Sequence, residues 1–288
     1  MSAAQRFTNI FLATDGSEES ETALYVAITL GHASAARVRV AHVWNLELHH
    51  RHGCWDVEVR SEAKRLVDNA VGQLQAAGVL ADCEILRSDT DHVAVALAAA
   101  AREFGADLVV VGSHGLSDWQ SMFEHSAGFQ QLCALNCPLL IVRGRPAAQH
   151  QAERVLLALA DGDEIAPSVR AAVAAAAAPG SAVLVVHVAK TISASQGFVF
   201  DESAETEATM SRAIRLVTEA EVAVEGLVAN RRPVAETVAE TAESWNADMI
   251  VIGSSHMSDI GSLVLSSVSH HLLRTTGRPV LIAQRTQA

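Results

Sequence analysis

Ala106-Asp107-Leu108-Val109-Val110-Val111-Gly112-Ser113-His114-Gly115 is the stretch that decides the fold. Four branched apolar residues in a row, closed by a turn bounded by two glycines, read as a short strand buried on both faces. The same text returns as Ala247-Asp248-Met249-Ile250-Val251-Ile252-Gly253-Ser254-Ser255-His256, an offset of 141. Cys137-Pro138-Leu139-Leu140-Ile141-Val142 returns as Arg278-Pro279-Val280-Leu281-Ile282-Ala283 at that same offset of 141. Upstream, Ala41-His42-Val43 matches Val186-His187-Val188 at 145, and Asp15-Gly16 matches Asp161-Gly162 at 146. One domain has been used twice. Division of 288 residues by about 150 per domain predicts the same number. The two domains are expected at 1–146 and 152–288, joined through the polar stretch Gly144 to His150.

Outward from that strand, apolar runs and helical patterns alternate. Strands are expected near Ile10 to Thr14, Val38 to Trp44, Cys83 to Leu86, Leu108 to Val111 and Leu139 to Val142. Between them lie helical patterns that begin at Ser17 and end at Gly31, run from Val57 to Ala77, and run from Asp91 to Phe104. A last helix is expected from Glu124 to Leu135. Ser17 followed by Glu18 and Glu19 has the side-chain cap and first-turn acids of a helix start. The second half repeats the plan, with strands near Val155, Val183, Val222, Met249 and Val280. The fold class is therefore α/β, two tandem doubly wound five-stranded parallel sheets. Ligands on such sheets bind outside the carboxyl ends of the strands, where the strand order reverses.

Composition excludes several classes. Half of the residues are hydrophobic and 19% are charged, so disorder is excluded. Four cysteines in this length are too few for a disulfide scaffold and suit a reducing compartment. No apolar run reaches the roughly 20 residues of a membrane span, and the start lacks the basic and apolar regions of a signal peptide. The net charge is −12 and only two residues, Lys64 and Lys190, are lysines. No basic stripe is available for nucleic acid, and an acidic membrane surface would repel the chain.

The strand tips hold the candidate chemistry. Asp15 closes the first strand, and its carboxylate suits an adenine amino group or a ribose hydroxyl. Gly112 and Gly115 let backbone N–H groups approach a phosphate, and nine residues after Gly115 come His125, Ser126 and Ala127. A separate loop, His49-His50-Arg51-His52-Gly53-Cys54-Trp55-Asp56, holds imidazole, thiolate and carboxylate, the ligand set of zinc. His49, His50, His52 and Cys54 are its candidate ligands, although no CxxC or HxxxH frame supports them. Cys83 and Cys137 lie in or beside strands and are expected to be buried. Trp119, Met122, Phe123 and Phe129 are expected in the core, at a domain contact or around a cavity.

These motifs, Ile10 to Ser17, Ala41 to Val43, Ala106 to Gly115 and Cys137 to Arg143, resemble the universal stress protein (UspA-like) family, and the whole chain resembles its tandem members. The resemblance implies an adenine nucleotide alpha hydrolase-like fold, pairing of the halves as a pseudo-dimer, a cytoplasmic role in stress survival and self-association. It also implies ATP binding through G-x-x-G, nine residues, then G-[S/T], with adenine near Asp15 and Val43 and phosphates near Gly112, Gly115 and Ser126. The first copy departs from this pattern at one glycine, His125. The second departs at two, His256 and Ser266, and adds a second acid, Asp163, near its first strand tip. A side chain at such a glycine removes space for the phosphate.

No G-x-x-x-x-G-K-[ST], G-x-G-x-x-G, G-x-S-x-G or H-E-x-x-H occurs. No lysine lies near either glycine loop to assist phosphoryl transfer. The leading expectation is a stress-response or regulatory module without efficient catalysis. Its alternatives are a weakly ATP-hydrolysing switch in the first half and a zinc- or apolar-ligand-binding protein.

Overall fold

The computed structural model describes residues 6–45, 56–88, 93–112, 132, 135, 137–143, 153–159, 165–188, 191–194, 197–200, 204–229, 233–253 and 267–284. The chain divides into two compact units, one built on Phe7–His150 and the other on Gln151–Ser258 and Val264–Ala288.

The first unit runs β1 (Asn9–Ala13), α1 (Glu18–Ser34), β2 (Arg37–Asn45), α2 (Asp56–Ala76), β3 (Leu80–Ser88), α3 (Val93–Phe104), β4 (Leu108–Gly112) and β5 (Leu139–Val142). Its strands lie in the order β3-β2-β1-β4-β5 and every pairing is parallel. The order reverses between β1 and β4, which makes their carboxyl ends the switch point. Ile10, Phe11, Leu12, Leu108, Val110 and Leu140 are buried between helices on the two faces. That burial explains why these strands read as unbroken apolar runs.

The second unit runs β6 (Arg154–Leu159), α4 (Ile165–Ala175), β7 (Ala182–Val188), β8 (Thr191–Ala194), β9 (Gly197–Phe200), α5 (Ala204–Glu219), β10 (Ala223–Ala229), α6 (Val234–Ser244), β11 (Met249–Gly253), α7 (Ser267–Thr275) and β12 (Val280–Ala283). Its order, β10-β7-β6-β11-β12, is the first unit's order again and all its pairings are parallel. The antiparallel hairpin β8–β9 is an addition that the strand–helix alternation does not announce.

The Ala-Asp that opens both copies of the repeated motif works at the amino edge of each sheet. Asp107 accepts hydrogen bonds from the backbone N–H of Thr8 at 2.7 Å and of Asn9 at 2.9 Å. Asp248 accepts from Glu153 N–H at 3.0 Å and Arg154 N–H at 2.9 Å. Each carboxylate thus satisfies donors where the first strand enters the sheet, and the charge assistance strengthens the bonds.

Three expectations are corrected. Gly31 does not end the first helix. It lies inside α1, where a β-carbon would stand 3.0 Å from Val79 and 3.2 Å from Val38, so it serves close packing; the chain leaves the helix at Ala35 with φ +53°. β3 extends beyond Cys83 to Leu86 at both ends. Cys83 is exposed rather than buried, because β3 is an edge strand, whereas Cys137 is buried as expected.

Candidate functional site

The register places three candidate residues at one edge. Ala13 of β1 pairs with Ala41 of β2 and with Val111 of β4. Asp15 and Val43 therefore lie two residues past one level of the sheet and Gly112 one residue past it. Thr14 N–H continues the ladder by donating to the Ala41 carbonyl at 2.9 Å. Asp15 is exposed, and Val43 and Gly112 are half-buried.

The turn from β1 into α1 is fixed by side chains. Asp15 Oδ1 accepts from the backbone N–H of Ser17 at 3.0 Å and from its hydroxyl at 2.6 Å, an Asx turn. Ser17 Oγ in turn accepts from Ser20 N–H at 3.2 Å and caps the helix. Gly16 has φ +82°, and a β-carbon there would meet Leu66 Cδ1 of α2 at 2.6 Å. Glycine is the residue that this turn admits.

A helix N-terminus ordinarily favours an anion, yet the first turn of α1 already holds Glu18, Glu19 and Glu21. Those acids work against a phosphate at this helix end. Beside the same turn, Val142 of β5 pairs with Gly112, so Arg143 stands one residue past the switch-point glycine. Burial pushes the Arg143 guanidinium below its ordinary value, against the pull of the Glu19 carboxylate. No lysine lies near the glycine loop in the sequence, and nothing local to Gly112 points to this arginine. The signal was strand pairing, which carries a residue 31 positions downstream to the side of Gly112.

His42 is held at the end of β2, its Nδ1 lying 2.8 Å from the Thr14 carbonyl oxygen. An N–H at Nδ1 donates across that distance, which fixes the tautomer and ties the tips of β1 and β2 together. The counterparts in the second unit are placed otherwise. His187 is 1% exposed with Nε2 at 3.4 Å from the Thr206 hydroxyl of α5. Val188, the counterpart of Val43, is buried at 7%. These positions are half-buried in the first unit and buried in the second.

Gly115, His125, Ser126 and Ala127 lie outside the described residues, as do the zinc candidates His49, His50, His52 and Cys54. The aromatic cluster Trp119, Met122, Phe123 and Phe129, and the second unit's Asp161 and Asp163, also lie outside them. Among the described residues no group of three or more His, Cys, Asp or Glu is placed to hold a metal ion. No helix among them is long and apolar enough to cross a membrane.

A family model described as the universal stress protein family matches the chain twice, over residues 6–143 and 152–284. The chain belongs to the universal stress protein family. Universal stress protein YxiE of Bacillus subtilis (strain 168) is 27% identical over 150 residues, which are 48% of this chain and 99% of that protein. A universal stress protein from Archaeoglobus fulgidus DSM 4304 is 19% identical, with a TM-score of 0.74 over 99% of this chain and 98% of its own. A structure described as a putative universal stress protein from Pseudomonas aeruginosa UCBPP-PA14 is 14% identical, with a TM-score of 0.62 over 96% of this chain and 93% of its own. At these identities the two structures support the fold, here present as two universal stress protein domains in tandem.

Proposed function

We propose that this chain is a tandem stress-response module whose first unit takes an adenine nucleotide and whose second unit has diverged from that use. The observation that carries the reading is the contrast at the second-strand tip: Val43 is half-buried beside exposed Asp15, whereas Val188 is buried. A half-buried apolar wall next to a carboxylate suits an adenine ring and its amino group. Arg143 adds a cation beside Gly112, where a phosphate tail would run. Other universal stress proteins have been solved in complex with dAMP and with cAMP; the case for this chain rests on its own crevice. Nucleotide occupancy rather than turnover is the proposed output, and joined domains at 1–146 and 152–288 belong to the same proposal.

The test is thermal unfolding of the full chain with ATP and AMP. A ligand at 100 times its dissociation constant stabilises a one-site protein by about 2.7 kcal/mol. The wild type is expected to shift, while Val43→Asp and Asp15→Ala are expected to lose the shift. A wild type that does not respond at millimolar nucleotide sinks the reading.

A further inference from the structure

The residue immediately after the fifth strand has the same place in both units. Val142 pairs with Gly112 and is followed by Arg143; Ala283 pairs with Gly253 and is followed by Gln284. The two are related by the repeat offset of 141, and each stands beside the glycine that closes the fourth strand, next to the switch point. Both are withdrawn from water, Arg143 by half and Gln284 to 7% exposure. Both carry N–H donors. They differ in charge.

Gln284 is the more telling of the two. Its Nε2 is buried and has no hydrogen-bond partner among the described residues. Buried amide donors are nearly always satisfied, because an unmet one keeps the full cost of leaving water. A leucine of similar size would avoid that cost. An unmet donor one residue past the strand that flanks the switch-point glycine Gly253 is suited to an acceptor that arrives from outside the chain. In the first unit the same position carries a guanidinium, whose planar fork matches phosphate oxygens. There the nearby Glu19 carboxylate attracts Arg143, so a phosphate would compete with Glu19 for the guanidinium.

We propose that the residue after the fifth strand selects ligand charge, Arg143 admitting a phosphorylated ligand to the first unit and Gln284 turning the second towards an uncharged hydrogen-bond acceptor. This rests on the nucleotide reading of the first unit and assigns it a specificity residue. Arg143 is a binding residue in this account and carries no chemical step. A neutral amide donates one or two hydrogen bonds but leaves phosphate charge uncompensated, so a polyanion gains little at Gln284.

The experiment is isothermal titration calorimetry of the full chain with ATP and with adenosine. Arg143→Gln is expected to weaken ATP by at least about tenfold, the scale of a lost charge-assisted contact, and to leave adenosine within about twofold. Arg143→Lys, which keeps the charge without the fork, is expected to bind ATP more tightly than Arg143→Gln and less tightly than the wild type. Gln284→Leu, which removes the unmet donor, is expected to raise the melting temperature of the ligand-free chain and to leave ATP affinity unchanged. Equal weakening of ATP and adenosine by Arg143→Gln would assign the arginine to structure and overturn the proposal, as would no change in either. A folded Gln284→Leu chain that melts below the wild type shows that the donor is met within the chain and overturns the claim for the second unit. A wild type that binds neither ligand removes the nucleotide reading and this proposal together, whereas binding that ignores the charge at residue 143 removes only this one.

Discussion

Gly112 lies so close to Glu19 that a β-carbon on it would stand 2.7 Å from the Glu19 carbonyl carbon and oxygen, and 2.7 Å from Ser20 N. The contacts are backbone, not the yielding end of a side chain. Gly112 therefore seats the first turn of α1 on the tip of β4 whether or not a ligand is present. Gly112→Ala is expected to cost roughly 1–3 kcal/mol, the usual range for overpacking. Urea unfolding in a Trp245→Phe background, where the remaining tryptophans belong to the first half of the chain, measures it. A change below about 0.5 kcal/mol, the level of a neutral surface substitution, defeats the argument.

This glycine shows how far the sequence could be read. Leu108 to Val111 and its repeat are legible as buried parallel strands because burial on both faces removes polar alternation. Asp15 and Gly112 are legible as neighbours because strand tips converge at a switch point, whereas Val43 joins them only through the family resemblance. The packing of Gly112 on Glu19 is not legible, since a close backbone approach and a phosphate loop ask for the same residue. Arg143 and Gln284 were missed because their place beside Gly112 and Gly253 comes from lateral strand pairing, which adds no local signal. The hairpin β8–β9 escaped because each of its strands has four residues, too few to show a period.

Asp82 predicts a pH dependence. It accepts from Arg39 Nε at 2.7 Å and Nη2 at 3.0 Å and is also ion-paired with Arg37, while Arg39 lies 4.6 Å from the centre of the Phe104 ring. The Arg39 hydrogen bond leads the causes that hold the carboxyl below its ordinary value. A depressed folded-state pKa contributes stability that is present above the unfolded value, about 3.9, and is lost as pH falls through the folded one. The cluster is partly solvated, so the contribution is about 1 kcal/mol or less. Asp82→Asn should melt below the wild type at pH 7, and the two curves should converge below about pH 4. A melting gap that stays constant to about pH 2.5 in folded protein contradicts the assignment.

The two described cysteines should separate under alkylation. Burial pushes the Cys137 thiol up to about 12, so little thiolate forms at neutral pH and reagent has no access. Cys83 is also raised, first by desolvation, but it lies exposed on the edge strand β3. Iodoacetamide at pH 8 should therefore modify Cys83 in native protein, and Cys137 only after denaturant is added. Peptide mass spectrometry reads this out. Native labelling of Cys137 at the rate of Cys83 would show that the entry to β5 opens to solvent.

His42 and His187 are the same residue in the repeat and should fail differently. His42 Nδ1 lies 2.8 Å from the Thr14 carbonyl and joins two strand tips at the crevice, half-exposed. Its replacement by alanine forfeits one hydrogen bond, about 1 kcal/mol of stability, and frees the segment that leads into Asp15. His187 is 1% exposed beside Thr206, so alanine there leaves a cavity at a cost of roughly 2–4 kcal/mol. Nucleotide affinity should follow the opposite order, falling in His42→Ala and holding in His187→Ala as long as the chain is folded. Denaturation and ATP titration of both variants check the pair. Equal destabilisation would contradict the difference argued from burial, and a larger loss of ATP binding in His187→Ala would mean that the second unit, not the first, holds the nucleotide.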